Sequence, residues 1–160
     1  MERLDLIERE AQRLMDYRVA TLDLLKSRAH TLAVFLFTAA SASLAFAVTL
    51  IEKGLPRWAI VLVATLAGGW YIVGAVVVSR CIAPTLLPPV GHEPSGLMQA
   101  PAEVEVDEMR RGCLRELQKT QKAFSDRSGD VGTWLARGYY AALIIAPAVA
   151  AAAGFLAGRA

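Results

Sequence analysis

Three long stretches of the 160-residue chain contain no charged residue, although the sequence has 17 basic and 15 acidic residues. They are residues 31–51, 58–79 and 138–158. A hydrocarbon core about 30 Å thick is crossed by about 20 apolar residues in a helix. Only a helix can satisfy its own backbone polar groups inside lipid. We therefore predict an all-α integral membrane protein with three transmembrane helices.

Side chains that catalyse reactions or bind metals are also scarce. The sequence has only two cysteines and two histidines, Cys81, Cys113, His30 and His92. Their spacing is not that of a metal site, and His92 followed by Glu93 lacks the second histidine of a metalloprotease motif. No nucleophile, base and orienting group can be assembled from the remaining residues. We expect no catalytic, metal or cofactor site and no enzyme activity.

Charge of one sign is not in large excess, since the formal net charge is +2, and we therefore expect no nucleic-acid partner. The basic residues near the spans are distributed unevenly. Nine lie on the side of the N-terminus and residues 80–137, and three lie on the side of residues 52–57 and the C-terminus. Because basic residues stay inside, we place the N-terminus and residues 80–137 in the cytoplasm. Both cysteines then meet a reducing compartment, and no disulfide is expected.

Two segments outside the spans have the period of amphipathic helices and are predicted to be cytoplasmic. Residues 1–30 contain no glycine or proline, so nothing interrupts a helix that continues into the first span. Residues 103–127 begin with acidic residues and then show apolar residues at steps of three or four. The intervening residues 80–102 include five prolines and are predicted to be an irregular linker. Residues 125–132 (SDRSGDVG) are predicted to break or bend the helix before the third transmembrane helix, residues 133–158.

The first two spans are predicted to form a transmembrane hairpin, residues 31–79, because Gly54 and Pro56 favour a tight turn between helices. Aromatic residues lie near the predicted membrane boundaries and are interpreted as interface anchors. The anchors are Trp58, Trp134, Tyr139 and Tyr140. By contrast, Trp70 and Tyr71 fall in the middle of a span, where we expect their polar atoms to seek a neighbouring helix.

Small residues recur at steps of four in all three spans, which lets helix backbones approach closely in lipid. They are Ala142, Ala146, Ala150, Gly154 and Gly158 in the third span, Ala39, Ser43 and Ala47 in the first, and Ala64 and Gly68 in the second. Packing within one chain and contact between copies both remain open, and the first is favoured. Pro147 should kink the third span. The absence of charge inside the spans argues against proton-coupled transport and voltage sensing.

The arrangement resembles small bacterial membrane effectors of nucleotide-signalling antiphage systems, the SLATT and Pycsar transmembrane types. The resemblance rests on LLKSRAHTLAVFLFTAASASLAF, residues 24–46, which leads into the hairpin, and on ELQKTQKAF, residues 116–124, ahead of the C-terminal apolar segment. It implies a protein that senses a cytoplasmic signal and then damages the inner membrane. The chain departs from the two-span pattern of these effectors by its third span, and no nucleotide pocket can be assigned to it.

These patterns favour a small oligomerising protein of a bacterial inner (plasma) membrane that perturbs the bilayer or forms a pore, controlled by its cytoplasmic helices. Its expected partners are the lipid bilayer, further copies of itself, and a cytoplasmic protein or nucleotide signal. The alternative is a non-enzymatic scaffold or accessory subunit that recruits a cytoplasmic partner. A membrane enzyme is a third class, which would require a catalytic group that the sequence does not reveal.

Overall fold

The computed structural model describes residues 2–83 and 106–159, and the side chains of residues 5–83 and 108–159. Within these ranges the chain is helical and contains no strand, which confirms the predicted all-α class. The helices are α1 (Glu2–Glu52), α2 (Arg57–Val77), α3 (Val106–Tyr140) and α4 (Ala146–Arg159), with π-helical turns at Val78–Ile82 and Ala141–Ile145. Most of the predicted linker, residues 80–102, and the predicted start of the second amphipathic helix lie outside the described residues.

Three helical stretches are long and apolar enough to cross a membrane, as the three charge-free stretches predicted. They are Asp5–Glu52, Arg57–Ile82 and Glu108–Arg159. In the most apolar window of each, only 22%, 17% and 22% of the residues are buried inside the protein. Most residues of these windows are therefore not buried within the single chain. Exposure of apolar side chains to water is energetically unfavourable.

The chain divides into two compact units, and α1 and α3 each contribute residues to both. The first, here called the polar unit, consists of the described residues up to Leu24 and those from 106 to Asp130. The second, here called the apolar unit, consists of Leu25–Ala83 and the described residues from Val131 onward.

Helix α1 is a single helix of 51 residues, because no glycine or proline occurs before Gly54. It ends in a glycine-based cap. The N–H of Gly54 donates to Ile51 O at 3.0 Å, and the N–H of Leu55 donates to Leu50 O at 3.1 Å. This cap requires a left-handed residue, and Gly54 has φ 63°. Pro56 then precedes α2, so the predicted tight turn between the first two helices is confirmed.

Of the break or bend predicted at residues 125–132, the break is wrong, because α3 continues through this segment from Val106 to Tyr140. Ser128 does not compete with the helix, since its hydroxyl donates back to Phe124 O at 2.8 Å within the same turn. Phe124, just before the segment, and Val131, within it, are both buried. A glycine inside a helix costs about 1 kcal/mol, which the burial of two large apolar side chains offsets.

Candidate functional site

The apolar unit is built on a seam between α2 and the helices α3 and α4. Four pairs of neighbouring residues define it. They are Cys81 with Val131, Val77 with Gly138, Gly69 with Ala146, and Leu62 with Gly154. Residue numbers fall along one side while they rise along the other, so α2 is antiparallel to α3 and α4. Cys81, a free cysteine, is fully buried, and its thiol lies 3.8 Å from Val131 O.

The small residues predicted in the third span mostly pack inside this seam. Ala142, Ala146, Ala150 and Gly154 are all buried. A Cβ added to Gly154 would lie 2.9 Å from Leu62 Cβ, closer than real Cβ contacts allow. Gly158 is different, since it is exposed and a Cβ there would meet Trp58 Cβ at an ordinary 3.4 Å. The stripe therefore serves close packing within the chain as far as Gly154.

In the second span, the small residues singled out from the sequence do not pack within the chain. Ala64 and Gly68 are exposed, and a Cβ added to Gly68 would meet nothing within 4 Å. The buried small residues of α2 are instead Ala67 and Gly74. A Cβ at Gly74 would lie 3.0 Å from the Phe37 ring. Because α2 has small residues on more than one face, spacing alone does not indicate which face is buried.

The small residues predicted in the first span are covered to different degrees. Ala47 is buried, whereas Ala39 and Ser43 are only half-buried. Residues deeper in the core are Ala33, Leu36 and Ala40. Of the predicted set, Ala47 therefore contributes most clearly to the core of the apolar unit.

A π-helical turn, Ala141–Ile145, lies just before Pro147, where a kink is predicted. In this turn the N–H of Ala146 donates to Ala141 O, five residues back, so the carbonyl of Ala142 loses its usual α-helical donor. In the same five-residue register its next donor would be Pro147, which has no N–H. The indole N–H of Trp70 fills this role, donating to Ala142 O at 3.0 Å. The expectation that Trp70 would seek a neighbouring helix is confirmed.

Tyr71, the other aromatic residue in the middle of α2, makes a ring contact with α1. Its ring meets Phe37 edge to face, with centroids 5.1 Å apart and planes at 61°. Such pairs stabilise by about 0.5 to 1.5 kcal/mol beyond their buried area. The two neighbouring aromatic residues of α2 therefore tie this helix to different partners, Trp70 to the π turn and Tyr71 to α1.

Trp134, one of the predicted interface anchors, contacts two arginines of the apolar unit. The guanidinium carbon of Arg80 is 5.1 Å from the Trp134 ring centroid, and that of Arg137 is 5.2 Å from it. Both distances are within the range of a cation–π contact. The other predicted anchors, Trp58, Tyr139 and Tyr140, are exposed. The sequence pattern indicated Trp134 but not its two arginines, although Arg137 is only three residues away.

An ion cluster joins the two helices of the polar unit. Arg110 of α3 donates to both oxygens of Glu8, each at 2.7 Å, and also forms an ion pair with Asp5. Hydrogen bonds from Arg110 lower the pKa of both carboxyls from ordinary values of 3.8 and 4.5. Because these pKa values are lower in the folded state, the cluster stabilises the polar unit at pH values above the ordinary pKa values of the two carboxyls. That contribution is lost as the pH falls through the folded-state values.

A second polar contact joins the same two helices. The side-chain amide of Gln121 is buried and donates to the carbonyl of Ala11 at 2.7 Å. Along α1 the contacts advance from Glu8 to Ala11, while along α3 they advance from Arg110 to Gln121. The two helices of the polar unit are therefore parallel. The N-terminal helix therefore packs against the second amphipathic helix within the same chain.

A shallow groove of about 460 Å³ opens where α2 begins and α4 ends. Its lining is mostly apolar and includes Trp58, Leu62 and Gly154. Arg159 lies at its edge, with the guanidinium carbon 4.2 Å from the Phe155 ring centroid.

Metal-ligating chemistry is sparse in residues 2–83 and 106–159, where no group of three His, Cys, Asp or Glu residues could hold an ion. Comparison of the chain with protein-family models, curated proteins and solved structures finds no match. The resemblance to SLATT and Pycsar effectors therefore stays a prediction.

Proposed function

We propose that this chain is a multi-pass membrane protein that assembles with copies of itself and perturbs a bacterial inner membrane, under control of its polar unit. The observation that carries the proposal is the low burial of the three apolar windows, 22%, 17% and 22%. Lipid covers such side chains without an energetic penalty. Within the bilayer, copies associate through close van der Waals packing of small residues.

The exposed small face of α2 is the part of the apolar unit best suited to such association. Ala64 and Gly68 are one helical turn apart and exposed. The space beside Gly68 is open, so another helix backbone can approach it closely. Ala146 and Gly154 cannot serve this purpose, because their close contacts are already made within the chain. The proposed contact between copies therefore uses Ala64 and Gly68.

Control by the polar unit is proposed because α1 and α3 contribute to both units. The Arg110 ion cluster and the Gln121 hydrogen bond hold these two helices together. A cytoplasmic protein or nucleotide that separates or tightens the pair would act on helices that also build the apolar unit. Such coupling requires a signal with different affinities for the two arrangements.

The test compares wild-type protein with Gly68→Leu and with Ala148→Leu, expressed to equal membrane abundance in bacteria. Ala148 is also exposed, on α4, so it is a matched control for added bulk. Dye entry and loss of membrane potential report membrane damage, and cross-linking reports assembly. We expect Gly68→Leu to lose both assembly and damage, and Ala148→Leu to keep both.

Two results would contradict parts of this proposal. If Gly68→Leu assembles and damages membranes like the wild type, the contact through α2 is wrong. If the wild type leaves membranes intact at high expression, a constitutive pore is excluded. A gated effector or a scaffold would then remain.

The scaffold alternative has its own supporting observation in the polar unit. Leu6, Tyr17 and Leu24 are 61%, 70% and 52% exposed, and their spacing places them on one side of α1. An exposed apolar face of this kind is typical of a protein contact. If the chain is a scaffold, one stoichiometric partner should copurify with it. A variant with serine at all three positions should lose that partner while remaining in the membrane.

A further inference from the structure

We propose that an exposed apolar side of α1 in the polar unit pairs with the same side of α1 in a second copy, as a short parallel coiled coil. This pairing rests on the membrane insertion and self-association proposed above. It adds a contact in the polar unit, separate from Ala64 and Gly68, and it makes a second copy of the chain the partner of this surface.

Helix α1 carries apolar residues at coiled-coil spacing that do not pack within the chain. Ile7 and Leu14 are seven residues apart, Tyr17 and Leu24 are also seven apart, and Tyr17 follows Leu14 by three. These intervals are those of the two core positions in a coiled-coil heptad. The four side chains, here called the seam, are between 43% and 70% exposed.

Within the chain, α1 packs against α3 through a different side. Glu8 and Ala11 bond to α3, and Met15 and Leu22, which share their side of α1, are buried. At 3.6 residues per turn, this side lies roughly 100° around the helix from the seam. The seam is therefore a second apolar side of α1.

A third side of α1 is the one suited to water. Asp16 and Asp23 are exposed there, seven residues apart and roughly 130° from the seam. A surface helix whose only partner was α3 would be polar over the rest of its surface. The apolar side chains of the seam instead meet water at a cost in free energy until another surface covers them.

The seam of a second copy matches this surface, whereas the described part of α3 in the polar unit does not. That part of α3 has no exposed large apolar residue, and its exposed side is basic. A coiled coil needs two helices with the same apolar period. Copies inserted in one bilayer have the same orientation, so their α1 helices run parallel. A two-fold contact then places identical seam residues opposite each other.

The charges beside the seam permit this pairing. Glu10 occupies a core position of the same heptad, and its carboxylate lies 3.0 Å from Arg13 Nη1, so each copy brings a neutral pair. A polar residue at one core position fixes the register of a coiled coil. In this register Arg13 also approaches Arg18 of the second copy, and the carboxylates of Glu10 offset the repulsion between them. Asp16 and Asp23 point away from the contact.

The seam is short, and the bilayer makes a short contact sufficient. Residues 7–24 comprise fewer than three heptads and span about 27 Å. Free chains would need a longer repeat to associate stably. Copies held in one membrane meet at a high effective concentration, so a weak contact between them can form.

Disulfide formation between copies of the full chain tests the pairing. Single cysteines are placed at the seam, as Tyr17→Cys or Leu24→Cys, in a Cys113→Ser background; Cys81 is buried. Helix axes about 8 to 10 Å apart bring identical core residues within the about 7 Å between Cα atoms that a disulfide allows. The purified protein in vesicles of phosphatidylcholine and phosphatidylglycerol should form covalent dimers on oxidation.

The matched controls are Asp16→Cys and Asp23→Cys, which are exposed in the same part of α1 but point away from the seam. These variants and the Cys113→Ser background should stay monomeric. Adding Leu14→Lys to Tyr17→Cys places like charges in the contact and should abolish its dimer. Adding Gln12→Lys brings the same charge to an exposed position on the opposite side of α1, and the dimer should persist.

Equal dimer formation at all four cysteine positions, or none at the seam, would overturn the pairing. So would monomers in vesicles together with a seam adduct to another protein in bacterial membranes, since this result assigns the surface to a scaffold partner.

The same variants separate this pairing from the proposed function. Seam dimers in a protein whose expression leaves membranes intact would support the pairing and count against membrane damage. Membrane damage that Gly68→Leu abolishes, without any seam dimer, would support the proposed function and refute the pairing. If the wild type is absent from the membrane fraction, both are refuted.

Discussion

Replacing Trp70 by phenylalanine tests the reasoning about the π turn most directly. The variant keeps an aromatic ring in the same part of α2 but removes the N–H that donates to Ala142 O at 3.0 Å. This carbonyl has no backbone donor, because Ala146 donates to Ala141 and Pro147 has no N–H. Leaving a part-buried acceptor unpaired costs about 1 to 3 kcal/mol, and interhelical bonds in membranes reach about 1.7 kcal/mol. We expect a loss of about 1 to 2 kcal/mol.

The control for this prediction is the same substitution in a Pro147→Ala background. Alanine at 147 restores an N–H, so Ala142 O gains a backbone donor whether the turn stays π-helical or becomes α-helical. Trp70→Phe should then cost clearly less, with a coupling energy of about 1 kcal/mol between the two positions.

Reversible unfolding by SDS in mixed micelles, followed by fluorescence of the two remaining tryptophans, measures these free energies. The reasoning is refuted if Trp70→Phe costs the same in both backgrounds. An unchanged stability of the single variant would refute it as well, because the hydrogen bond would then contribute nothing.

Three further predictions follow from close contacts and charges. Gly138→Ala should destabilise the protein by about 1 to 3 kcal/mol, because its Cβ would lie 2.7 Å from Val77 Cγ2. The double variant Gly138→Ala/Val77→Ala should lose less stability than the sum of the two single variants. Arg110→Gln should reduce the loss of helicity in the polar unit below about pH 4, since the lowered pKa values of its carboxyl partners depend on it; an unchanged pH profile would contradict this. Maleimide should label Cys113 faster than buried Cys81 in the folded protein, and equal rates would contradict the burial.

Much of the helical architecture could be predicted from the sequence, because it depends on local features of the chain. The absence of charge over about 20 residues defines an apolar helix, and Gly54 followed by Pro56 defines the end of one helix and the start of the next. These signals are strong and need no knowledge of neighbours. The predicted break at residues 125–132 failed because serine and glycine only weakly disfavour a helix, and burial of Phe124 and Val131 overrides them.

The contacts of the candidate site depended on information that the sequence does not contain locally. Trp70 was expected to find a polar partner, but its acceptor exists only because the π turn frees the Ala142 carbonyl, 72 residues away. The ion cluster joins Arg110 to residues more than 100 positions earlier. Charges in an amphipathic helix look alike until the partner helix and its register are known.

The sequence does not indicate which of the two small faces of α2 is buried, and the proposed contact between copies depends on the answer. Ala64 with Gly68, and Ala67 with Gly74, are equally small, and neighbouring positions on a helix differ by only about 100° in direction. Gly74 has the Phe37 ring against it, so that face is already occupied within the chain. The space beside Gly68 is free. A substitution at Gly68 would therefore test the proposed contact between copies without disturbing the fold. One at Gly74 or Gly154 would disturb packing first and could not distinguish assembly from stability.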